Sequence, residues 1–149
     1  MAEVAESLLG SGWTLRLRVT GNSMRPLIPN RSLVRIAPIS DSGQLSLGDI
    51  VLTRAASGRL VAHRVVELDG ERCRTKGDAS GRRDGWIRHS QVLGKILGIE
   101  GALFLPLHGP IARRAGLWLN RHYPRLVRLK AAVKGRLSGS LQRLAGEGS

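Results

Sequence analysis

The sequence predicts a mainly β body followed by a basic helical extension, and three observations carry that expectation. Up to about residue 100, short runs alternate apolar and polar side chains, separated by turns rich in Gly, Ser and Asp. Asp69-Gly70, directly after the longest run, is a two-residue hairpin signal, because both residue types tolerate positive φ. After residue 100 the apolar residues recur at helical spacing among arginines instead. The 149 residues suit one core with an appendage, divided as a body over 1–100 and an extension over 101–149.

The first strand is predicted over residues 13–20, where Trp13, Leu15, Leu17 and Val19 alternate with more polar neighbours. It runs into Gly21-Asn22-Ser23-Met24-Arg25-Pro26. Gly21 and Asn22 admit unusual backbone angles there, Pro26 fixes its own φ, and Arg25 is pushed toward an extended shape. The segment is therefore a constrained turn that presents Ser23 at the end of a strand. Residues 32–36 follow as a short strand and 38–45 as a polar loop. Residues 50–53 form an apolar strand entered through Leu47-Gly48-Asp49, where Asp49 caps or orders the bend. The strand 60–68 holds His63 on the face it shares with Val61 and Val65. Residues 71–75 pair back against it, 76–85 make a charged glycine-rich loop, and 92–99 close the body, with Gly94 and Gly98 serving close strand packing. In the extension, 111–119 and 126–144 are predicted helices, with Pro124 breaking or kinking the run between them.

The formal charge is +13, and residues 101–149 hold +8 of it, nine Lys or Arg against Glu147. Such a tail is attracted to polyanions, whether an acidic membrane face or nucleic acid. Trp118 and Tyr123 among the arginines favour a membrane interface over residues 110–146. No recognition motif accompanies the charge, so no specific nucleic acid is expected. No stretch reaches the roughly 18 uninterrupted apolar residues that span a bilayer. The opening Met-Ala-Glu-Val-Ala-Glu-Ser is acidic where a secretory signal is basic. The expected location is the cytoplasm, with peripheral attachment to a membrane. A single cysteine, Cys73, excludes an internal disulfide and is assigned to packing. His63, His89, His108 and His122 lack ligand spacing, so neither a metal nor a cofactor is expected.

Amide hydrolysis by a serine requires a nucleophile, a base for its proton, a group that orients the base, and donors for the oxyanion. Ser23 in its turn is the candidate nucleophile. His63 is the candidate base, since an imidazole with an ordinary pKa of about 6.5 is neutral and basic near pH 7. The hairpin returns the chain past Thr75 toward the start of the His63 strand, so that Asp78 or Asp84 can reach the imidazole. Met24 either packs in the core or lines the substrate cleft. Alone, Gly-x-Ser-Met-x-Pro is usually only a turn, and a strand histidine is usually a hydrogen-bonded core residue.

Together these residues resemble the ordered boxes of type I signal peptidases. The boxes are Gly21-x-Ser23-Met24-x-Pro26, Gly48-Asp49-Ile50-Val51, His63-Arg64-Val65-Val66, and Thr75-Lys76-Gly77-Asp78 with Asp84 following. The resemblance covers about residues 17–98. That superfamily also includes the LexA-like self-cleaving repressors, and most bacterial members use a Ser–Lys dyad. His63 stands here at the lysine's place, as in the endoplasmic-reticulum and archaeal branch. The resemblance implies coiled antiparallel sheets, Ser23 as nucleophile and His63 as general base. It further implies Asp84 as the group orienting His63, Asp78 as structural or sharing that role, and the Ser23 N–H in the oxyanion hole. Lys76 falls in a different box and is not carried over as a catalytic lysine.

The implied activity is that of a serine endopeptidase removing a leader or signal segment from a precursor protein or peptide. The family carries a membrane-spanning anchor before the serine box, whereas 22 residues precede Ser23 here and none form a membrane helix. The competing expectation is a non-catalytic module of the same fold that docks on acidic membrane or nucleic acid through its basic tail. Self-cleavage of the repressor type is disfavoured, since those 22 residues leave no room for a DNA-binding domain.

Overall fold

The computed structural model describes residues 1–39, 45–101 and 103–146, with 133–146 as helical backbone only. In chain order the elements are α1 (Ala2–Gly10), β1 (Leu15–Arg18), β2 (Leu33–Pro38), β3 (Ile50–Arg54), β4 (Leu60–Asp69), β5 (Arg72–Lys76), β6 (Trp86–Arg88), β7 (Val92–Glu100), β8 (Leu105–Pro106) and α2 (Pro110–Gly146). The strands form one antiparallel sheet in the order β1-β2-β7-β3-β4-β5-β6, curled into a half-barrel, with β8 added along β7. The mainly β body and the helical extension are thus both present.

β3 shows why the sheet has two cores. Successive side chains of a strand point to opposite sides, and Ile50, Val51 and Leu52 are all buried. Ile50 and Leu52 join Leu9, Met24, Ile28, Val34, Ile36, Ala62 and Ile96 in one cluster. Val51 joins Val65, Cys73 and Val92 in the other. Each fully buried aliphatic side chain of this kind stabilises the fold by roughly 1.5–3 kcal/mol. β7 ties the halves together, pairing with β2 on one edge and β3 on the other.

Several elements depart from the sequence expectation. The first strand is only four residues long, and an amphipathic helix precedes it, with Ala5 and Leu9 one turn apart on its buried side. β6 lies directly after the stretch read as a glycine-rich loop and pairs with β5. The hairpin turn is displaced by one residue: Asp69 remains in the ladder opposite Arg72, whose guanidinium donates to its carboxylate, and Gly70 opens the turn at φ +55°. The loop expected over 38–45 lies mostly outside the described residues. Asp49 orders its bend as expected, its carboxylate accepting the Ser46 N–H at 2.8 Å.

Of the break or kink expected at Pro124, the break is absent. One helix runs through it rather than two helices flanking a break. Proline has no N–H to give to the carbonyl four residues earlier, which is that of Asn120. That carbonyl is taken by the Lys76 ammonium at 2.6 Å, so the lost helical bond is replaced from the sheet. The first turns of α2 also press closely on the body. A Cβ added to Gly116 would run into the Arg64 guanidinium, which therefore fixes a glycine at the contact. Among the described residues no helix is long and apolar enough to cross a membrane.

Candidate active site

The Ser23 turn is fastened at both ends. Val19 and Ser32 are joined by a 2.9 Å backbone bond, and the Gly21 N–H donates to the Asn30 side chain at 2.9 Å. Gly21 sits at φ +105°, the left-handed region a glycine occupies without strain. The Arg25–Pro26 peptide is cis. Met24 resolves its two alternatives by doing both, buried at 3% exposure while also lining the groove beside Ser23. The Ser23 carbonyl accepts the Ala79 N–H at 2.8 Å, which ties the turn to the loop after β5. Among the described residues the Ser23 N–H is donated to no acceptor.

β4 places His63 near that turn, and Asp84 completes the other side of the ring. The His63 Nδ1 and Asp84 Oδ2 are 2.6 Å apart. With the carboxylate as acceptor, Nδ1–H is the donor, so in the neutral ring the lone pair is on Nε2. Asp84 is itself held firmly. Thr75 donates its hydroxyl to Oδ2 at 2.7 Å, the Asp84 N–H donates to the Thr75 carbonyl at 2.8 Å, and Arg74 Nε donates to the Asp84 carbonyl at 2.9 Å. Arg74 also lies over the Trp86 ring of β6, 5.5 Å from its centroid. The strand missed in the sequence is therefore part of what positions the acid.

Gly77 marks where nucleophile and base converge. A Cβ built there would lie 3.1 Å from Ser23 Cβ, 3.1 Å from His63 Nε2 and 2.8 Å from the Ser23 carbonyl oxygen. Two atoms each that close to one point are separated by at most twice that distance, and the Ser23 hydroxyl reaches one bond beyond its Cβ. His63 Nε2 therefore lies within twice that distance of Ser23 Cβ, and among the described residues no hydrogen bond joins the two side chains. Gly77 itself adds no side-chain atom beside either group.

Asp78 is placed elsewhere. Its two oxygens accept Arg64 Nε and Nη2 at 2.8 and 2.7 Å in a bidentate pair in which both side chains are fully buried. Asn120 of α2 donates to the same carboxylate at 2.8 Å, and Arg64 Nη1 donates to the Gly48 carbonyl at 2.7 Å. With its oxygens so occupied, Asp78 anchors the loop and the helix, and Asp84 alone meets the imidazole. Lys76 likewise turns away from the serine, its amine bonded to the Asn120 carbonyl and to Oδ1 at 3.0 Å. Burial lowers the Lys76 pKa from its ordinary value, Asp78 opposes that shift, and Arg83 adds to it. Cys73 is fully buried in the second core cluster, and burial raises its thiol pKa, consistent with packing.

Thr75, Arg74, Gly77 and Asn120 were not assigned these roles from the sequence. The first three lie in or beside a quoted box, so their proximity was a usable signal. Asn120 is 42 residues from Asp78. Its only sequence mark is a polar residue one turn after Gly116 in an arginine-rich helix.

Ser23 and His63 open onto a groove of about 540 Å³ lined largely by aliphatic side chains, among them Leu17, Val19, Leu52 and Leu60. β1 lies at the end of the strand order and, among the described residues, pairs only with β2, which leaves its other edge without a strand partner. Compared with protein-family models, curated proteins and solved structures, the chain matches none.

Proposed function

We propose that this chain is a serine endopeptidase of the signal-peptidase type, with the coiled antiparallel sheets of that fold, removing a leader segment from a precursor. The observation that carries the reading is the 2.6 Å His63–Asp84 contact combined with the convergence of Ser23 Cβ and His63 Nε2 beside Gly77. An extended substrate segment is received along the open edge of β1 with its side chains in the aliphatic groove. Ser23 Oγ attacks the scissile carbonyl and its proton passes to His63 Nε2, while Asp84 holds the ring through Nδ1–H. The carbonyl oxygen becomes an oxyanion that accepts the Ser23 N–H. Nε2 then gives the proton to the departing amine, leaving an acyl-enzyme. Water, deprotonated by the same nitrogen, releases the second product.

The test is a comparison of cellular N-termini by mass spectrometry with the active chain and with Ser23→Ala. Under this reading a defined set of new N-termini depends on Ser23, and their sequences give both client and cut site. An identical set in both strains removes the proposal.

A second reading concerns location and has its own observation. Ile111, Trp118, Leu126 and Leu129 on α2 are between 47% and 85% exposed, beside Arg114, Arg121 and Arg125. An apolar stripe flanked by arginines supports peripheral attachment to an acidic membrane. Sedimentation with acidic vesicles, lost in Trp118→Ser/Leu129→Ser, checks it.

A further inference from the structure

A second cavity, of about 800 Å³, opens between α2, the β4–β5 pair and the loop after β5, and it shares no lining residue with the groove at Ser23. Its walls hold Lys76, Arg83, Arg121, Arg125 and Arg128, and no aspartate or glutamate. Arg121, Arg125 and Arg128 stand four and then three residues apart on α2, so they project from one side of the helix. Among the described residues none of these three has an acidic partner. Arg83, by contrast, is paired with Glu67 at the margin.

The cavity is built rather than incidental. The Arg128 guanidinium is drawn in over Gly81, with Nη2 2.7 Å from where a Cβ would stand. The Lys76 amine is fixed by two oxygens of Asn120. The Trp118 and His122 rings meet at 4.9 Å in its wall. Cations gathered in this way repel one another, and Arg83 already bears on the Lys76 amine. An anion placed among them adds an attraction to each, which offsets that mutual repulsion.

We propose that this cavity is a binding site for a phosphoryl group, carried either by a soluble phosphate ester or by a lipid headgroup. Three guanidinium forks and an ammonium match the several oxygens of a phosphate better than the two of a carboxylate. The volume exceeds what a bare phosphate fills, and Trp118 and Leu117 provide a surface for the group that carries it. The proposal does not depend on the peptidase reading, and Arg125 and Arg128 lie outside the Ser23–His63–Asp84 machinery.

The experiment titrates the full chain with inorganic pyrophosphate by calorimetry and sediments it with phosphatidylglycerol vesicles, both in buffer of physiological ionic strength. The variants are Arg125→Gln/Arg128→Gln and a charge-matched control, Arg16→Gln/Arg88→Gln, with melting curves to verify folding. Affinity should fall at least about tenfold in the cavity variant and stay within about twofold in the control. That pattern with pyrophosphate assigns a soluble ester, and the same pattern with vesicles alone assigns a headgroup. Equal weakening in both variants means diffuse attraction to a basic surface and overturns the site. So does binding to neither probe.

Discussion

Gly77→Ala isolates the geometry of the proposed catalytic unit with one methyl group. The φ of Gly77 lies outside the left-handed region, so alanine fits the backbone there and the effect is steric. The new carbon would stand 2.8 Å from the Ser23 carbonyl oxygen. Ordinary close C···O contacts begin at about 3.3 Å, so turn and loop must separate by about half an ångström. The methyl also fills the room beside Ser23 Cβ and His63 Nε2, at 3.1 Å from each. A misplacement of about 1 Å in a reacting group costs on the order of a hundredfold. Displacement plus obstruction here should lower kcat by about a hundredfold, ~2.7 kcal/mol in the barrier. KM should change less than kcat, because Leu17, Leu52 and Leu60 of the groove lie off the displaced turn.

The assay follows cleavage of a leader peptide identified from the N-terminal comparison. Overpacking costs about 1–3 kcal/mol of stability, so rates are compared well below both melting temperatures. A Gly77→Ala protein with kcat within about twofold of the parent would refute the reasoning. It would mean that Ser23 and His63 do not act across that gap.

Three further outcomes follow from the same contacts. Asp84→Asn presents an amide to Nδ1 and disturbs the tautomer, so kcat should drop by about a hundredfold to ten-thousandfold with folding retained, as read by peptide turnover and melting. Asp78→Ala leaves the Arg64 guanidinium buried without its partner and should cost about 3–5 kcal/mol by urea denaturation; a loss below about 1 kcal/mol would deny it the anchoring role. Lys76 has a lowered pKa in the folded chain, so between that value and its ordinary one the unfolded chain binds more protons. Stability should therefore rise with pH across that interval, relative to Lys76→Met, in denaturation curves taken at successive alkaline pH values.

What the sequence revealed of this molecule follows from how local each signal is. The strands β2, β3, β4 and β7 are carried by alternation or by apolar runs and β5 by the hairpin signal before it, and Gly21 and Gly70 do take positive φ. Ser23 and His63 each lie in a short box and Asp84 follows one, so all three could be nominated from the sequence. Their mutual geometry could not be, since it depends on the Ala79–Ser23 backbone bond and on Thr75 and Arg74 steering Asp84. The choice between Asp78 and Asp84 turned on a partner outside the loop, Arg64, supported by Asn120 from the extension. The two helices expected around Pro124 are one for a similar reason. Local rules end a helix at proline, and the compensating donor, Lys76, comes from 44 residues away. α1 and β6 are short, and their buried positions are too few to set a period.

The central claim is that Ser23 is a nucleophile activated by His63 and Asp84. The most direct measurement is the intact mass of the protein after incubation with a fluorophosphonate, a reagent that phosphonylates activated serines, followed by peptide mapping. The account predicts one adduct, on Ser23, absent in Ser23→Ala and formed at least about a hundredfold more slowly in His63→Ala. No adduct on the folded parent, or an adduct that persists in Ser23→Ala, would contradict it.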